Sequence, residues 1–432
     1  MDAAPPRPGH DPYAPLRLRP YRRYLLAGIC SSAGAEMQVV AVGWELYDRT
    51  GSASALGLVG LAMVIPVIAL ALPAGHAADR YDRKTLLMLA QGLTVIGSVG
   101  LAVLSYLRGP VGWTYACLAL AGAAQAISMT TRGSILRQLV PDHLVGVAVT
   151  WNSSGWQVAS VVGPALGGLI IALAGRAMPV YVLDAALALT VIWLLAPIRP
   201  RAVERMEGPA SLGSFLAGFR FVKSSPLILA TITLDLFAVL LGGAVALLPI
   251  FSRDILRTGP VGLGWLRAAP SIGAAITALT LAHRPPLRRA GPALLWSVAG
   301  FGLATIGFGL SRNAYLSFVL LALTGAMDNI SVVVRSTLMQ VLTPNRLRGR
   351  VSAVNAIFIG CSNELGSFES GMTAAWFGPV PSVVGGGLGS LAVVFLTRAV
   401  WPGVARLGPL DRLKHPEDQL IEAPGRPEPA HP

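Results

Sequence analysis

Charge is what this 432-residue sequence has least of: Asp, Glu, Lys and Arg together make up 13%, where a soluble domain carries about a quarter. Hydrophobic residues reach 53% and the mean hydropathy is +0.62. A soluble fold must coat its exterior with polar side chains and could not hide so much apolar surface. The sequence therefore reads as an integral membrane protein. Cysteine is scarce as well. Cys30, Cys117 and Cys361 are scattered through apolar runs, which excludes a disulfide framework and a thiolate cluster. Histidines fall only in loops or tails, so no metal centre is expected. No lysine follows a glycine, which excludes a phosphate-cradling P-loop and an ATPase of that type. The apolar runs hold no Ser–His, metal or phosphate-binding constellation, so an enzyme is not expected and no cofactor is implied. Residues 1–20 are rich in Pro and Arg and lack an apolar core, which argues against a cleaved signal peptide.

What the sequence does contain is a series of long apolar runs. Residues 50–78, 85–107, 109–131, 143–175, 290–311 and 370–397 hold no Asp, Glu, Lys or Arg. Each is long enough to cross roughly 30 Å of hydrocarbon as a helix. With spans interrupted by one or two charges included, twelve are expected, near 24–47, 54–74, 85–107, 113–139, 146–174, 178–197, 226–250, 261–282, 292–311, 314–341, 350–377 and 380–401. The long polar break at 198–225 divides them into two sets of six. The implied organisation is a tail at 1–23, a six-helix half at 24–197, a linker at 198–225, a second half at 226–401 and a tail at 402–432.

The net charge of +13 is explained by topology. With both termini inside, Arg49, Arg108, Arg176, Arg253, Arg257, Arg267 and Arg312 lie outside, Arg132 and Arg335 lie in the membrane, and every other basic residue faces the inner side. That positive-inside bias leaves no reason to expect a nucleic-acid partner. Only Lys84, Lys223 and Lys414 among the 34 basic residues are lysines. With abundant Ala, Gly and Pro, this hints at a GC-rich bacterial source, and hence at a bacterial cytoplasmic membrane with both termini cytoplasmic.

The chain also repeats itself. Residues 118–175 align without a gap onto 321–378. Gly122, Arg132, Pro141, Gly146, Asn152, Gly163 and Gly168 match Gly325, Arg335, Pro344, Gly349, Asn355, Gly366 and Gly371. Six spans separate equivalent points, so the halves share one orientation. Parallel six-helix repeats place a substrate cavity between the halves. The expected fold is thus all-α, twelve helices in two parallel halves around a central cavity.

The loop after the second span reads Gly75-His-Ala-Ala-Asp79-Arg80-Tyr-Asp82-Arg83-Lys84. It resembles the signature loop of the major facilitator superfamily, with Ala77 where Leu is common and Asp82 where Gly is common. The Asp-Arg-x-Asp-Arg-Lys form is similar to the siderophore-exporter, or transmembrane secretion effector, branch, which also contains macrolide and other drug exporters. That resemblance implies a conformational latch of Gly75, Asp79, Arg80, Arg83 and Lys84, with the Gly permitting close helix approach and Asp79 facing the positive end of a helix. The corresponding loop of the second half, residues 283–289, keeps basic residues but has no Asp, so any latch is asymmetric.

A second signature, Gly163-Pro164-Ala-Leu-Gly167-Gly168, resembles the motif enriched in exporters of this superfamily. Gly155, Ala159, Gly163 and Gly167 recur every four residues as one small-residue stripe suited to tight packing. Pro164 removes a backbone donor and can bend the helix.

Ionisable groups at bilayer depth are expensive and usually functional. Glu36 and Asp235 lie deep in the first and seventh spans as candidates for coupling or substrate binding, with Gln38 as a further hydrogen-bonding candidate. Either carboxylate could instead pair with Arg132 or Arg335. Asp328 and Arg335, two turns apart on one face of the tenth span, and Arg132, the repeat equivalent of Arg335, are read as structural or gating charges. Glu364 and Glu369 are read as lining an outer vestibule or as solvated, and Asp184 is assigned no role. The function these features imply is a secondary transporter that exports a small molecule by alternating access. Its partners would be that molecule, the lipid bilayer and, through the resemblance, protons from the gradient. A siderophore is the first cargo expected and a drug or macrolide-type compound the second. A lipid flippase or a non-transporting scaffold is the alternative from another class.

Overall fold

The computed structural model describes residues 11–199, 212–285, 289–344 and 347–409. Among these residues the chain is all-helical. The first half contains α1 (Arg19–Thr50), α2 (Ala53–Arg80), α3 (Arg83–Leu107), α4 (Val111–Leu139), α5 (Val145–Ala174) and α6 (Met178–Leu195). An amphipathic linker helix, Leu212–Ser224, leads into α7 (Pro226–Leu241). Then follow α8 (Gly259–Ala282), α9 (Ala290–Leu310), α10 (Ala314–Leu342), α11 (Arg348–Phe377) and α12 (Pro379–Val400).

Eleven of these helices are long and apolar enough to cross a membrane, α7 being counted with its continuation to Ile255. The remaining one, α11, has 30 residues but carries Arg348, Arg350, Asn355, Asn363, Glu364 and Glu369, which lower its mean hydropathy. It nonetheless packs inside the bundle against α2, α7 and α12. A helix this polar is tolerated at membrane depth where protein or a water-filled cavity surrounds it.

Local chemistry sets the helix ends. The Asp82 carboxylate accepts from the Thr85 amide at 3.2 Å and caps α3, satisfying one of its orphan donors. Asn313 does the same for α10 through the Tyr315 and Leu316 amides. Gly51 and Gly175 end α1 and α5 in the left-handed region (φ 59° and 68°), where a Cβ would clash. The first helix of each half differs. α1 runs unbroken for 32 residues, whereas α7 breaks at Gly242-Gly243 and continues through a 3-10 turn (Ala244–Leu247) and a wide π turn (Phe251–Ile255).

Because the helices alternate in direction, the starts of α1, α3, α5, α7, α9 and α11 share one end of the bundle with both described chain ends. We call this the near end, and the opposite one the far end. The apolar core divides along this axis. At the far end one cluster joins both halves, with Met37, Val42 and Leu46 of α1 packed with Leu247, Phe251 and Leu263. At the near end the cores are separate, one of Tyr21, Leu25, Ile135 and Leu195 and another of Leu234, Leu294, Val334 and Leu338.

Candidate functional site

Two helix pairs hold the halves together, α2 with α11 and α5 with α8. Both meet toward the far end through glycines. A Cβ on Gly371 would run into the backbone of Gly57, and one on Gly168 into the Pro260 carbonyl. A Cβ on Gly264 would likewise strike the Pro164 carbonyl. At the near end of these same helices, Gly75, Gly146 and Gly349 have nothing within 4 Å of a Cβ position. The halves are thus sealed at the far end and spread at the near end.

The far-end seal has a polar rim. Tyr47 of α1 donates to the Asp254 carboxylate, and Arg253 pairs with Asp48 at 2.9 Å. The Arg253 guanidinium also lies 5.9 Å from the centre of the Tyr47 ring, within cation–π range.

Below this rim, charge bridges the halves. Arg267 of α8 approaches the Glu36 carboxylate of α1 at 3.8 Å, both side chains about one-quarter exposed. It also acts electrostatically on Glu364 of α11. One turn further along α8, the Ser271 carbonyl accepts from the Gln157 amide of α5 at 2.5 Å. Arg267, expected among the outer charges, is instead part of a membrane-spanning helix. The residue lies eight positions into α8, about 12 Å from the helix start at 1.5 Å per residue. Its partners come from other helices, so no local pattern announces them.

The small-residue stripe of α5 positions this bridge. Gly155 faces Ile29 and Leu25, Gly167 faces the Met37 backbone, and a Cβ on Gly163 would come within 2.8 Å of the Glu36 Cβ. The stripe thus packs on α1 and sets Glu36 against the opposite half, while Gly168 faces α8 and Pro164 lends its carbonyl to the same crossing.

The other candidates fall into separate places. Gln38 turns into its own half, donating to Ser98 Oγ at 3.1 Å, and Ser98 in turn donates to Asp184 at 2.5 Å. Asp184 is 3% exposed, and Gly34 is the residue that leaves room for its carboxylate. Asp235 of α7 is buried in an ion pair with Arg335 of α10. Pairing with Arg335 is the alternative the sequence leaves open for Asp235, and it is the arrangement found. Among the described residues Arg335 has Asp235 as its carboxylate partner, with Asp328 within electrostatic reach. Seven residues along one helix separate two groups by about 10 Å, whereas a neighbouring helix puts Asp235 alongside. Arg132 instead donates to Ser31 Oγ at 2.8 Å, and Gln91 donates to the same oxygen at 3.2 Å.

In the signature loop, Gly75 faces open space and Arg80 is exposed. Lys84 reaches across to the Ala196 carbonyl at 2.6 Å, and Arg83 is half-buried. Asp79 is within α2, and its side chain lies outside the described residues. Glu369 accepts from Ser370 Oγ at 3.3 Å. Of the second-half loop, residues 286–288 lie outside the described residues, as do Asn345 and Arg346 further along.

Comparison with known proteins adds an independent line. The sequence model of the family described as transmembrane secretion effector matches residues 10–422. The enterobactin exporter EntS of Shigella flexneri is 30% identical over 379 residues, covering 86% of this chain and 89% of that protein. The protein of the same name from Escherichia coli O157:H7 aligns with the same identity and coverage. Among solved structures, a bacterial homolog of the human lysosomal transporter Spinster, inward-facing and occupied, superposes with a TM-score of 0.69 at 14% identity, over 92% of this chain and 99% of that one. A D-xylose-proton symporter gives a TM-score of 0.69 at 15% identity, over 94% and 100%. At such identities the structural likeness speaks for the fold.

Proposed function

The chain belongs to the transmembrane secretion effector family of the major facilitator superfamily, a family of multi-pass membrane transporters, and from that premise we propose that it exports a siderophore across a bacterial cytoplasmic membrane by proton-coupled alternating access. In this reading the near end is cytoplasmic, and the conformation described is the inward-open one. Cargo enters between the spread halves, and rocking of the halves exposes it at the far end.

The observation that carries the reading is the Glu36–Arg267 bridge, at the place where the seal between the halves ends. It is the ion pair among the described residues that joins the halves at membrane depth. A proton placed on Glu36 would remove one of the two charges and, with it, the attraction across the halves. At an effective dielectric of about 20, such a contact is worth about 4 kcal/mol before desolvation is counted. That is enough to bias two conformations that differ by a few kcal/mol. Cargo is assigned through the EntS relatives, whose name states what they export.

The test compares siderophore inside cells with that in the medium under iron limitation, in a strain lacking the gene. Wild type is expected to clear the intracellular pool. Glu36→Gln, present in the membrane at equal level, is expected to leave it high. An unchanged distribution in the deletion strain would remove siderophore as cargo and turn the search to drug and macrolide-type compounds.

A further inference from the structure

The cycle proposed above uses Glu36 and Arg267 and leaves Glu364 without a task. Glu36 stands fourteen residues before the far end of α1 at Thr50, and Glu364 thirteen before that of α11 at Phe377. At 1.5 Å per residue both lie about 20 Å from the far end, one carboxylate in each half. Glycine crossings fix both positions. A Cβ on Gly163 would press on Glu36, and one on Gly60 of α2 would strike the Glu364 carbonyl. The α2–α11 seam therefore reaches as far as Glu364.

Arg267 of α8 interacts with both carboxylates. It meets Glu36 at 3.8 Å, an ion pair longer than a hydrogen bond, and it is the cation that acts on Glu364. Among the described residues Glu364 makes no ion-pair contact of its own. One cation thus serves two acids, in contact with the acid across the halves and short of contact with the one in its own half. The difference matters when the halves part. Arg267 and Glu364 sit on helices of the same half and keep their separation if the halves rock as bodies. Glu36 belongs to the other half and is carried away. An arginine left alone eight positions into a membrane-spanning helix is costly, because removing one partner of such a pair leaves the other charge uncompensated. The Arg267 side chain is long and its guanidinium has five donors, so a change of rotamer brings it to Glu364 instead.

We infer that Arg267 changes partners during the cycle, holding Glu36 while the far end is sealed and Glu364 when the far end is open. Glu364 is then a positioning residue that stabilises the open state and opposes Glu36 in the balance between the two. Glu36, released at the same moment, meets the water that enters the opening far end. The inference rests on the alternating access proposed above, but on neither its cargo nor its proton.

The experiment uses the full chain in nanodiscs, with Cys30, Cys117 and Cys361 replaced by alanine and spin labels on Arg176→Cys and Arg312→Cys. Both positions are exposed at the far end, one in each half. Distance distributions between the labels give the ratio of open to sealed far end. Gly168→Ala serves as the background, because overfilling the α5–α8 crossing raises the open share. Glu364→Gln is expected to lower the ratio at least about fivefold, the small end of ordinary coupling between sites. Glu364→Asp keeps the charge and is expected to leave the ratio near the background value. Glu36→Gln is expected to raise it. With Glu36→Gln already present, Glu364→Gln should have little effect, because Arg267 then has no partner across the halves to leave. Glu364→Gln preserves the shape of the side chain, and a single thermal transition verifies that each variant is folded. The proposal is overturned if Glu364→Gln leaves the ratio unchanged or raises it, or if it lowers the ratio equally with Glu36→Gln present. A Glu36 effect without a Glu364 effect overturns the partner change alone. If Glu36→Gln does not raise the ratio, or if the far end opens in no variant, the bridge reading proposed above falls with it.

Discussion

The two halves carry arginines at equivalent positions of their repeats and answer them in different ways. In the first half Arg132 bonds the hydroxyl of Ser31, which Gln91 shares. In the second, Arg335 meets the carboxylate of Asp235. The first half also buries Asp184 against Ser98 and Gln38, a hydroxyl and an amide, and its leading helix is unbroken. At Arg335 the second half pairs charge with charge, and its leading helix departs from α-helical winding twice. A duplicated fold preserves where a polar group is needed while leaving open how it is satisfied. At these buried positions hydroxyl and amide partners serve the first half, whereas the Asp235–Arg335 ion pair makes the second more sensitive to loss of a single partner.

That contrast is sharpest at Asp235. Asp235→Ala would strand Arg335 in the interior, at a cost of about 3–5 kcal/mol, and is expected to cut folded protein in the membrane severely. Replacing Asp235 and Arg335 together by Leu should recover much of the loss, as measured by thermal unfolding in detergent. If the single variant were as stable as wild type, the asymmetry between halves would have no energetic content. Ser31→Ala, the counterpart in the first half, removes hydrogen bonds to a charged group and is expected to cost about 1.5–3 kcal/mol. A loss equal to that of Asp235→Ala would erase the difference.

A milder effect is expected at the seal. Gly168→Ala overfills the α5–α8 crossing, at about 1–3 kcal/mol, and should shift spin-label distances across the near end towards the closed arrangement. Gly75→Ala adds a methyl where nothing lies within 4 Å and should leave those distances unchanged. The smallest effect belongs to the exposed rim. Asp48→Asn breaks a pair whose side chains are 39% and 54% exposed, and such pairs contribute about 0–1 kcal/mol. Its thermal transition should stay within a degree or two of wild type.

Much of the fold was legible because the bilayer restricts the sequence so strongly. Apolar runs, the polar break at 198–225 and the aligned repeat follow from composition and spacing along the chain. The small-residue stripe of α5 was visible for the same reason, since a four-residue period is a property of one helix. The site was less legible because its contacts are made between helices. Glu36 stands out by depth alone, but Arg267, although inside the expected span at 261–282, counts with the outer charges because the carboxylates facing it lie on other helices. Asp184 looked unremarkable because nothing in its own helix reveals that Gly34 and Ser98 make a niche for it. Asp328 shares a helix face with Arg335, yet the neighbouring helix offers Asp235 as the nearer group, a pairing the sequence leaves open but cannot choose.

The glycine contacts at the far end carry one more consequence. They form two separate seams, α2 with α11 and α5 with α8, each with backbone pressed on backbone. Opening one seam while the other stays shut would slide helices whose backbones touch at the crossing, where little can deform. Parting of the halves is then expected to be all-or-none. Single-molecule fluorescence between dyes on the two halves is expected to show two levels with abrupt jumps and no stable intermediate between them.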